Sequence, residues 1–274
     1  MWFIEDETPG YKLQWKINRV LLQKQTPYQY LEVIEMEEFG RALLLDGAIQ
    51  ITEKDEFIYN EMISHVPMLT HPNPGKVLII GGGDGGAARE VLKYKEVEEV
   101  QLIEIDEEVI NAIREFFPGL AGVFDDPRFK LIVDDGIEFV KSKQDEYDVI
   151  IVDSSDPVGP AVNLFEYPFY NDCFRALKQD GILNIQSESP FFNRDIIKKI
   201  TGILNGLFEY VNTYLACIPT YPSGLWSFTM ASKAYNYSGA SLERARGMNT
   251  HYFTPDVFQA CFKLPRFVHD FLKE

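Results

Sequence analysis

Lys76-Val-Leu-Ile-Ile-Gly-Gly-Gly-Asp-Gly-Gly-Ala-Ala-Arg-Glu90 is an apolar run that ends in six residues, five of them glycine. Val77 to Ile80 read as a buried strand of a parallel sheet, and Ala87 to Tyr94 as the helix that follows it. Between them Gly81, Gly82, Gly83 and Gly85 let the backbone turn tightly and come close to a ligand, because glycine tolerates positive φ and carries no Cβ. A nucleotide is expected in that turn. Asp84 sets its character: a helix N-terminus ordinarily attracts an anion, and a carboxylate already stands there. Such a site repels a phosphate and suits a cation.

The 274 residues suffice for one large domain with a small appendage. Residues 1–53 carry strand patterns at Tyr11 to Ile17, Val20 to Gln25, Tyr28 to Met36, Ala42 to Leu45 and Ala48 to Thr52, with an Asp46-Gly47 hairpin signal. Glu53 to Met68 place Phe57, Ile58, Met62 and Ile63 at helical spacing, and His71-Pro-Asn-Pro74 ends that helix. The expected division is therefore 1–53 as an N-terminal β-stranded unit, 54–74 as connecting helix and linker, and 75–274 as a catalytic domain. From Gly75 on, strands alternate with helices at about 85–94, 107–116, 136–143, 167–178 and 194–208, the signal of a parallel sheet covered on both faces. The strands are Val77 to Ile80, Val100 to Ile105, Phe129 to Val133, Tyr147 to Val152, Ile182 to Gln186, Val211 to Cys217 and Ser227 to Ala231, the last two as a hairpin. The fold class is α/β, and the seven strands resemble the methyltransferase-type variant of the Rossmann fold. Ligands in such sheets lie at the carboxyl ends of the strands, where strand order reverses.

A formal net charge of -16 argues against a nucleic-acid partner, since phosphate recognition wants a basic face, and fits a cationic small molecule. Cys173, Cys217 and Cys261 are too few and too scattered for a disulfide framework or a zinc site, so no metal is expected. Glu5, Asp6 and Glu7 stand where a signal peptide would need a basic flank, and no run approaches the roughly 18 apolar residues of a membrane span, so a cytoplasmic protein with no membrane partner is expected.

The remaining motifs fall at strand ends. Glu104 lies 23 residues past Gly81 and is expected to take the two ribose hydroxyls of an adenosine, as the acid about 20 residues after the glycine turn does in dinucleotide folds. Asp106 reads as the N-cap of the next helix. In Asp134-Asp135-Gly136, Asp135 can accept from an adenine amino group or cap the helix ahead of Ile137. Asp153-Ser-Ser-Asp-Pro-Val-Gly-Pro160 puts two carboxylates, Asp153 and Asp156, before a proline-rich loop. Acids facing a pocket there imply a base, a cation clamp or both. Gln50, Tyr59 and Asn60 flank the junction of the β-unit with the core, and Ile218-Pro-Thr-Tyr-Pro-Ser-Gly-Leu-Trp226 is a rigid aromatic loop. Tyr59 and Tyr221 each offer a phenol and an aromatic wall.

Leu45-Asp-Gly-Ala-Ile-Gln50, Asp55-Glu-Phe-Ile-Tyr59, the Gly81 to Gly86 loop, Asp153 to Ala161 and Pro219-Thr-Tyr-Pro-Ser-Gly224 together resemble the spermidine synthases, the polyamine aminopropyltransferases, essentially from end to end. The resemblance implies transfer of the aminopropyl group of decarboxylated S-adenosylmethionine, a co-substrate rather than a cofactor, to putrescine, giving spermidine and methylthioadenosine. It implies Asp84 on the aminopropyl ammonium, Glu104 on the ribose, and Asp135 with Gly136 at the adenine. Gln29 and Gln50 would lie near donor or acceptor, Asp153 would be the general base, and Tyr59 would sit beside the attacking nitrogen. Asp156, Glu188 and Tyr221 would line the amine channel, with Pro160 closing the acidic loop. Asn60 stands where the family is expected to carry glutamine or histidine, next to the acceptor. A homodimer or homotetramer is implied. Alternatives are another amine acceptor (agmatine, cadaverine or spermidine), an S-adenosylmethionine-dependent N-methyltransferase, whose donor carboxylate Asp84 would repel, or a non-catalytic polyamine sensor.

Overall fold

The structure, a computed structural model, describes residues 1–155 and 159–273, leaving out the side chains of residues 159 and 160. Five strands in chain order, β1 (Trp2–Thr8), β2 (Tyr11–Gln25), β3 (Tyr30–Met36), β4 (Gly40–Leu45) and β5 (Ala48–Thr52), form an antiparallel sheet. The sequence pattern carries no sign of β1, because Glu5, Asp6 and Glu7 hide its alternation. The two strands expected at Tyr11 to Ile17 and Val20 to Gln25 are one: irregularities between Ile17 and Arg19 and between Val20 and Leu22 bend the ladder without ending it. β3 starts at Tyr30 rather than Tyr28, since Thr26 Oγ1 accepts the N–H groups of Tyr28 and Gln29, both at 3.1 Å, and holds a turn there.

Helix α1 (Glu56–Thr70) follows, beginning three residues later than expected. It runs through Pro67, whose missing N–H leaves the carbonyl of Ile63 without its helical donor. Asn184 supplies the substitute, its Nδ2 lying 2.8 Å from that oxygen. Beyond it come β6 (Lys76–Gly81), α2 (Gly86–Val91), β7 (Glu99–Glu104), α3 (Glu107–Phe116), α4 (Pro118–Ala121), β8 (Phe129–Val133), α5 (Gly136–Lys141), β9 (Tyr147–Asp153), α6 (Tyr167–Ala176), β10 (Leu177–Gln186), α7 (Arg194–Asn205), β11 (Tyr210–Cys217), β12 (Leu225–Ser232), α8 (Pro255–Cys261) and α9 (Arg266–Phe271). The expected helix to residue 178 gives way at Leu177, where β10 begins directly. The short helices α4, α8 and α9 have no counterpart in the periodicity.

The seven strands lie in the order β11-β12-β10-β9-β6-β7-β8. β8, β7, β6, β9 and β10 are parallel, and β12 runs antiparallel between β10 and β11. Successive crossovers from β6 go to one side through β7 and β8 and to the other through β9 and β10, so the switch point lies between β6 and β9. Alternation along β6 splits the core: Val77 and Ile79 pack with Met62, Ile63 and Val66 of α1, while Leu78 and Ile80 pack with Phe169, Tyr170 and Cys173 of α6. The small sheet seats Leu31, Val33, Leu43 and Ile51 on Val109, Ala112 and Ile113 of α3. That contact hangs the β-unit over the carboxyl ends of the large sheet. No helix among the described residues is long and apolar enough to cross a membrane.

Candidate active site

Pairing of β6 with β9 sets Gly81 opposite Asp153, and pairing of β7 with β8 sets Glu104 opposite Val133, so the acids leave the sheet along one edge. The glycine loop is glycine because those acids press on it. Gly82 adopts φ +63°, and a Cβ there would lie 2.6 Å from Asp153 Oδ2; at Gly83 it would lie 2.7 Å from Glu104 Oε2. Gly136 has the same office at α5, where a Cβ would stand 2.4 Å from Ile80. Above this floor opens a cavity of about 1100 Å³ whose lining includes Gln29, Gln50, Tyr59, Gly81, Gly82, Gly83, Asp84, Glu104, Asp135, Gly136, Asp153, Glu188 and Tyr221. Among the described residues its wall carries ten acidic side chains and one cation, Arg194, which selects for cationic ligands.

Asp153 ends β9 with its two oxygens in different roles. Oδ1 accepts the Tyr59 hydroxyl at 2.6 Å, while Oδ2 is buried with no hydrogen-bond partner among the described residues. Burial pushes its carboxyl up to about 6, against the opposing pull of the Tyr59 bond. Burial, then the neighbouring Asp153 charge, raises the Tyr59 phenol well above its ordinary value, so Tyr59 stays a donor. Asp84 is raised in the same way, by burial and by Asp153, although its Oδ1 accepts Gly86 N–H at 2.5 Å. Two part-buried acids sharing one cavity floor make a seat for positive charge.

On the β7–β8 side, burial lifts Glu104 to about 7. Asp106 caps α3 as expected, accepting from Glu108 N–H at 3.1 Å, and its other oxygen takes Thr26 Oγ1 at 2.7 Å and Gln29 Nε2 at 3.0 Å. Gln29 is thus held at the cavity wall through Asp106. Asp135 both lines the cavity and caps α5, accepting Ile137 N–H at 2.8 Å.

On the β10–β12 side, Tyr221 donates to the carbonyl of Gln50 at 2.7 Å and lays its ring against Trp226 (centroids 4.7 Å apart) and Tyr59 (5.7 Å). Glu188 holds a left-handed φ of +70° and accepts Gln186 Nε2 at 3.0 Å and Asn193 Nδ2 at 2.9 Å. Gln186 was legible only as strand, yet its amide also binds the carbonyl of Ser154 at 3.1 Å and so joins the acidic loop to Glu188. Glu5 is a second residue the sequence pattern does not signal: buried on β1, it accepts Trp15 Nε1 at 3.1 Å and Ile49 N–H at 2.9 Å at the cavity's edge.

Asn60 is not brought to the cavity. It is fully buried behind the glycine loop, its Nδ2 on Glu56 at 2.8 Å and its amide where a Cβ of Gly86 would be, 2.0 Å away. One residue on a helix is about 100° of rotation, so with Tyr59 facing the cavity its successor faces α2. Gly85 turns the loop at φ +78° against Val123 and also stands outside the lining. Asp156 lies outside the described residues, as does the side chain of Pro160. At the opposite edge of the sheet His71, Asp148 and Asp180 bring ligand atoms within 4.8 Å of one another. Lys178 lies 2.9 and 3.0 Å from the two oxygens of Asp148, and Arg244 Nη1 donates to the His71 carbonyl at 2.7 Å.

Residues 56–239 match the family model of the spermine/spermidine synthase domain, and residues 1–53 that of the spermidine synthase tetramerisation domain. The chain belongs to the spermine/spermidine synthase family. Family membership makes it an aminopropyltransferase. It is 48% identical over 273 residues to a polyamine aminopropyltransferase of Caldicellulosiruptor bescii, covering 100% of this chain and 98% of that one. A polyamine aminopropyltransferase of Bacillus subtilis is 45% identical over 273 residues, covering 100% and 99%. Among solved structures, a spermidine synthase in complex with the transition-state analogue AdoDATO superposes with a TM-score of 0.97 at 41% identity, covering 100% of this chain and 95% of that one. The spermidine synthase of Thermotoga maritima gives 0.95 at 41% identity, covering 100% and 94%.

Proposed function

We propose that the enzyme transfers the aminopropyl group of decarboxylated S-adenosylmethionine to putrescine, with Asp153 as general base. The observation that carries this reading is Asp153 in the lining of the same cavity as Asp84, its Oδ1 held by the Tyr59 hydroxyl and its Oδ2 without a hydrogen-bond partner among the described residues. The nucleoside lies on the β7–β8 side, with Glu104 at the ribose and Asp135 at the adenine. Its aminopropyl ammonium goes to Asp84, and Gln29 closes the wall. The acceptor enters on the β10–β12 side between Gln50, Glu188 and Tyr221.

An alkylammonium has a pKa of ~10.4, so at pH 7 freeing its lone pair costs about 4.6 kcal/mol. Transfer to an ordinary aspartate would be uphill by ~6.5 units; a carboxyl near 6 removes about two of them. The amine nitrogen attacks the carbon next to sulfur, the N–C bond forms as the C–S bond breaks, and the proton passes to Asp153. Sulfur leaves as a neutral thioether, so no general acid is required. Tyr59 remains protonated and aims the carboxylate. The remaining acceleration comes from in-line alignment in a site that excludes water. S-adenosylmethionine itself carries a carboxylate, which Asp84 would meet with like charge; this supports aminopropyl over methyl transfer.

The match of residues 1–53 to a tetramerisation model supports a homo-oligomer, with Trp2 and Ile4 exposed on β1 as apolar surface for a second copy. For the base, the test is Asp153→Asn: turnover is expected to fall by roughly three orders of magnitude while affinity for methylthioadenosine holds within about twofold. Near-normal turnover would mean that the base is elsewhere. The same assay run with putrescine, cadaverine, agmatine and spermidine ranks the acceptors.

A further inference from the structure

Asp55 precedes α1 at the position where an aspartate ordinarily accepts an N–H of its own helix. It makes no such bond. Its carboxylate, only 4% exposed, turns away instead: Oδ1 accepts Thr52 Oγ1 at 2.6 Å, and Oδ2 accepts both Thr220 N–H at 3.0 Å and Thr220 Oγ1 at 2.7 Å, from a loop 165 residues on. Thr220 is itself buried and does not line the cavity, but its successors Tyr221 and Pro222 do. Tyr221 closes a circuit, donating to the Gln50 carbonyl and packing its ring on Tyr59, which stands one helical turn after Asp55 and binds Asp153.

We propose that Asp55 is a positioning residue for the amine acceptor, its carboxylate fixing Thr220 and thereby the distance between the Tyr221–Pro222 wall and the Tyr59–Asp153 pair. Three neutral donors converge on this buried carboxylate, and two of them belong to the loop. Charge-assisted bonds of this kind are short and directional, so they hold a backbone segment more firmly than apolar packing of the same side chains would. The second anchor of the loop, Ser223 Oγ to Ser189 Oγ at 3.0 Å, lies beyond Tyr221, and the wall is therefore pinned on both sides. Neither anchor touches the β7–β8 side of the cavity. Loosening the first one moves the acceptor wall and leaves the nucleoside's contacts in place.

This inference rests on the acceptor reading above. Its test is Thr220→Val, which deletes one donor and keeps shape and backbone bond, alongside Asp55→Ala and the conservative Asp55→Asn. Steady-state kinetics with decarboxylated S-adenosylmethionine and putrescine are expected to show the putrescine KM raised about threefold to tenfold in Thr220→Val and further in Asp55→Ala. The donor KM and the affinity for methylthioadenosine stay within about twofold, and Asp55→Asn, which keeps an oxygen toward Thr220, recovers most of the loss. Equal rises in both KM values, or a lower melting temperature with both KM values unchanged, would overturn the inference. If Asp55→Ala does not fold, the split between the two KM values in Thr220→Val decides. A wild-type enzyme that used none of the amines would overturn the acceptor reading instead.

Discussion

As the proposed base, Asp153 meets two opposed demands. A base needs a raised pKa, which burial supplies, and a fixed orientation, which the Tyr59 bond supplies while pulling the pKa back down. Tyr59→Phe separates them. With the hydroxyl gone, burial is unopposed and Asp153 titrates higher, so the acid limb of kcat/KM moves up from about 6 by on the order of one unit. The sign follows from the base being active only when deprotonated. A pH–rate profile with an unmoved limb would mean that Asp153 is not the group titrating. Glu104 and Asp153 were legible in the sequence because each ends a strand recognisable from its apolar neighbours, and Asp84 because it interrupts the glycine turn that follows one. Asn60 lies away from the cavity because helical phase, not adjacency to Tyr59 in the chain, sets which residues of α1 face it. Gln186 and Glu5 were missed because their partners, Ser154 and Ile49, are distant in the chain.

Among the elements, α1 depends on a repair from outside. Pro67 strips Ile63 of its donor, and Asn184 on β10 replaces it while also taking the Tyr214 hydroxyl as neighbour at 2.8 Å. Asn184→Ala is expected to cost about 1–3 kcal/mol by leaving a buried carbonyl unsatisfied. In a Pro67→Ala background, which restores the helical N–H, the same change costs less. Denaturant unfolding of the four proteins measures the difference, and equal costs in both backgrounds would contradict it. The parallel strands and the terminal hairpin followed from alternating apolar runs and helical stretches, a local signal. β1 did not, since a strand edged by three consecutive acids looks like solvated chain until β2 is there to pair with it. The joining of Asp55 to Thr220 is of the same kind: each residue is ordinary in its own neighbourhood.

At the scale of the molecule, the N-terminal β-unit supplies Glu5 and Gln50 from its strands and Gln29 from the β2–β3 turn to a cavity whose floor lies at the ends of the large sheet's strands, so neither unit alone completes the site. Trp2 at 62% exposure and Ile4 at 48% share the outer side of β1. In the oligomer proposed above they are covered by a second copy. Trp2→Glu with Ile4→Glu is expected to lower the mass found by light scattering to that of a smaller assembly, and an unchanged mass would place the interface elsewhere. The excess of carboxylates around the cavity favours cationic ligands, and in the proposed reaction Asp84 discriminates between two sulfonium donors that differ by one carboxylate. The most direct measurement is therefore product analysis by mass spectrometry. The purified enzyme is offered putrescine with decarboxylated S-adenosylmethionine and S-adenosylmethionine in equal amounts. Spermidine and methylthioadenosine, with no methylated amine, are the predicted products; methylputrescine in their place would contradict the account.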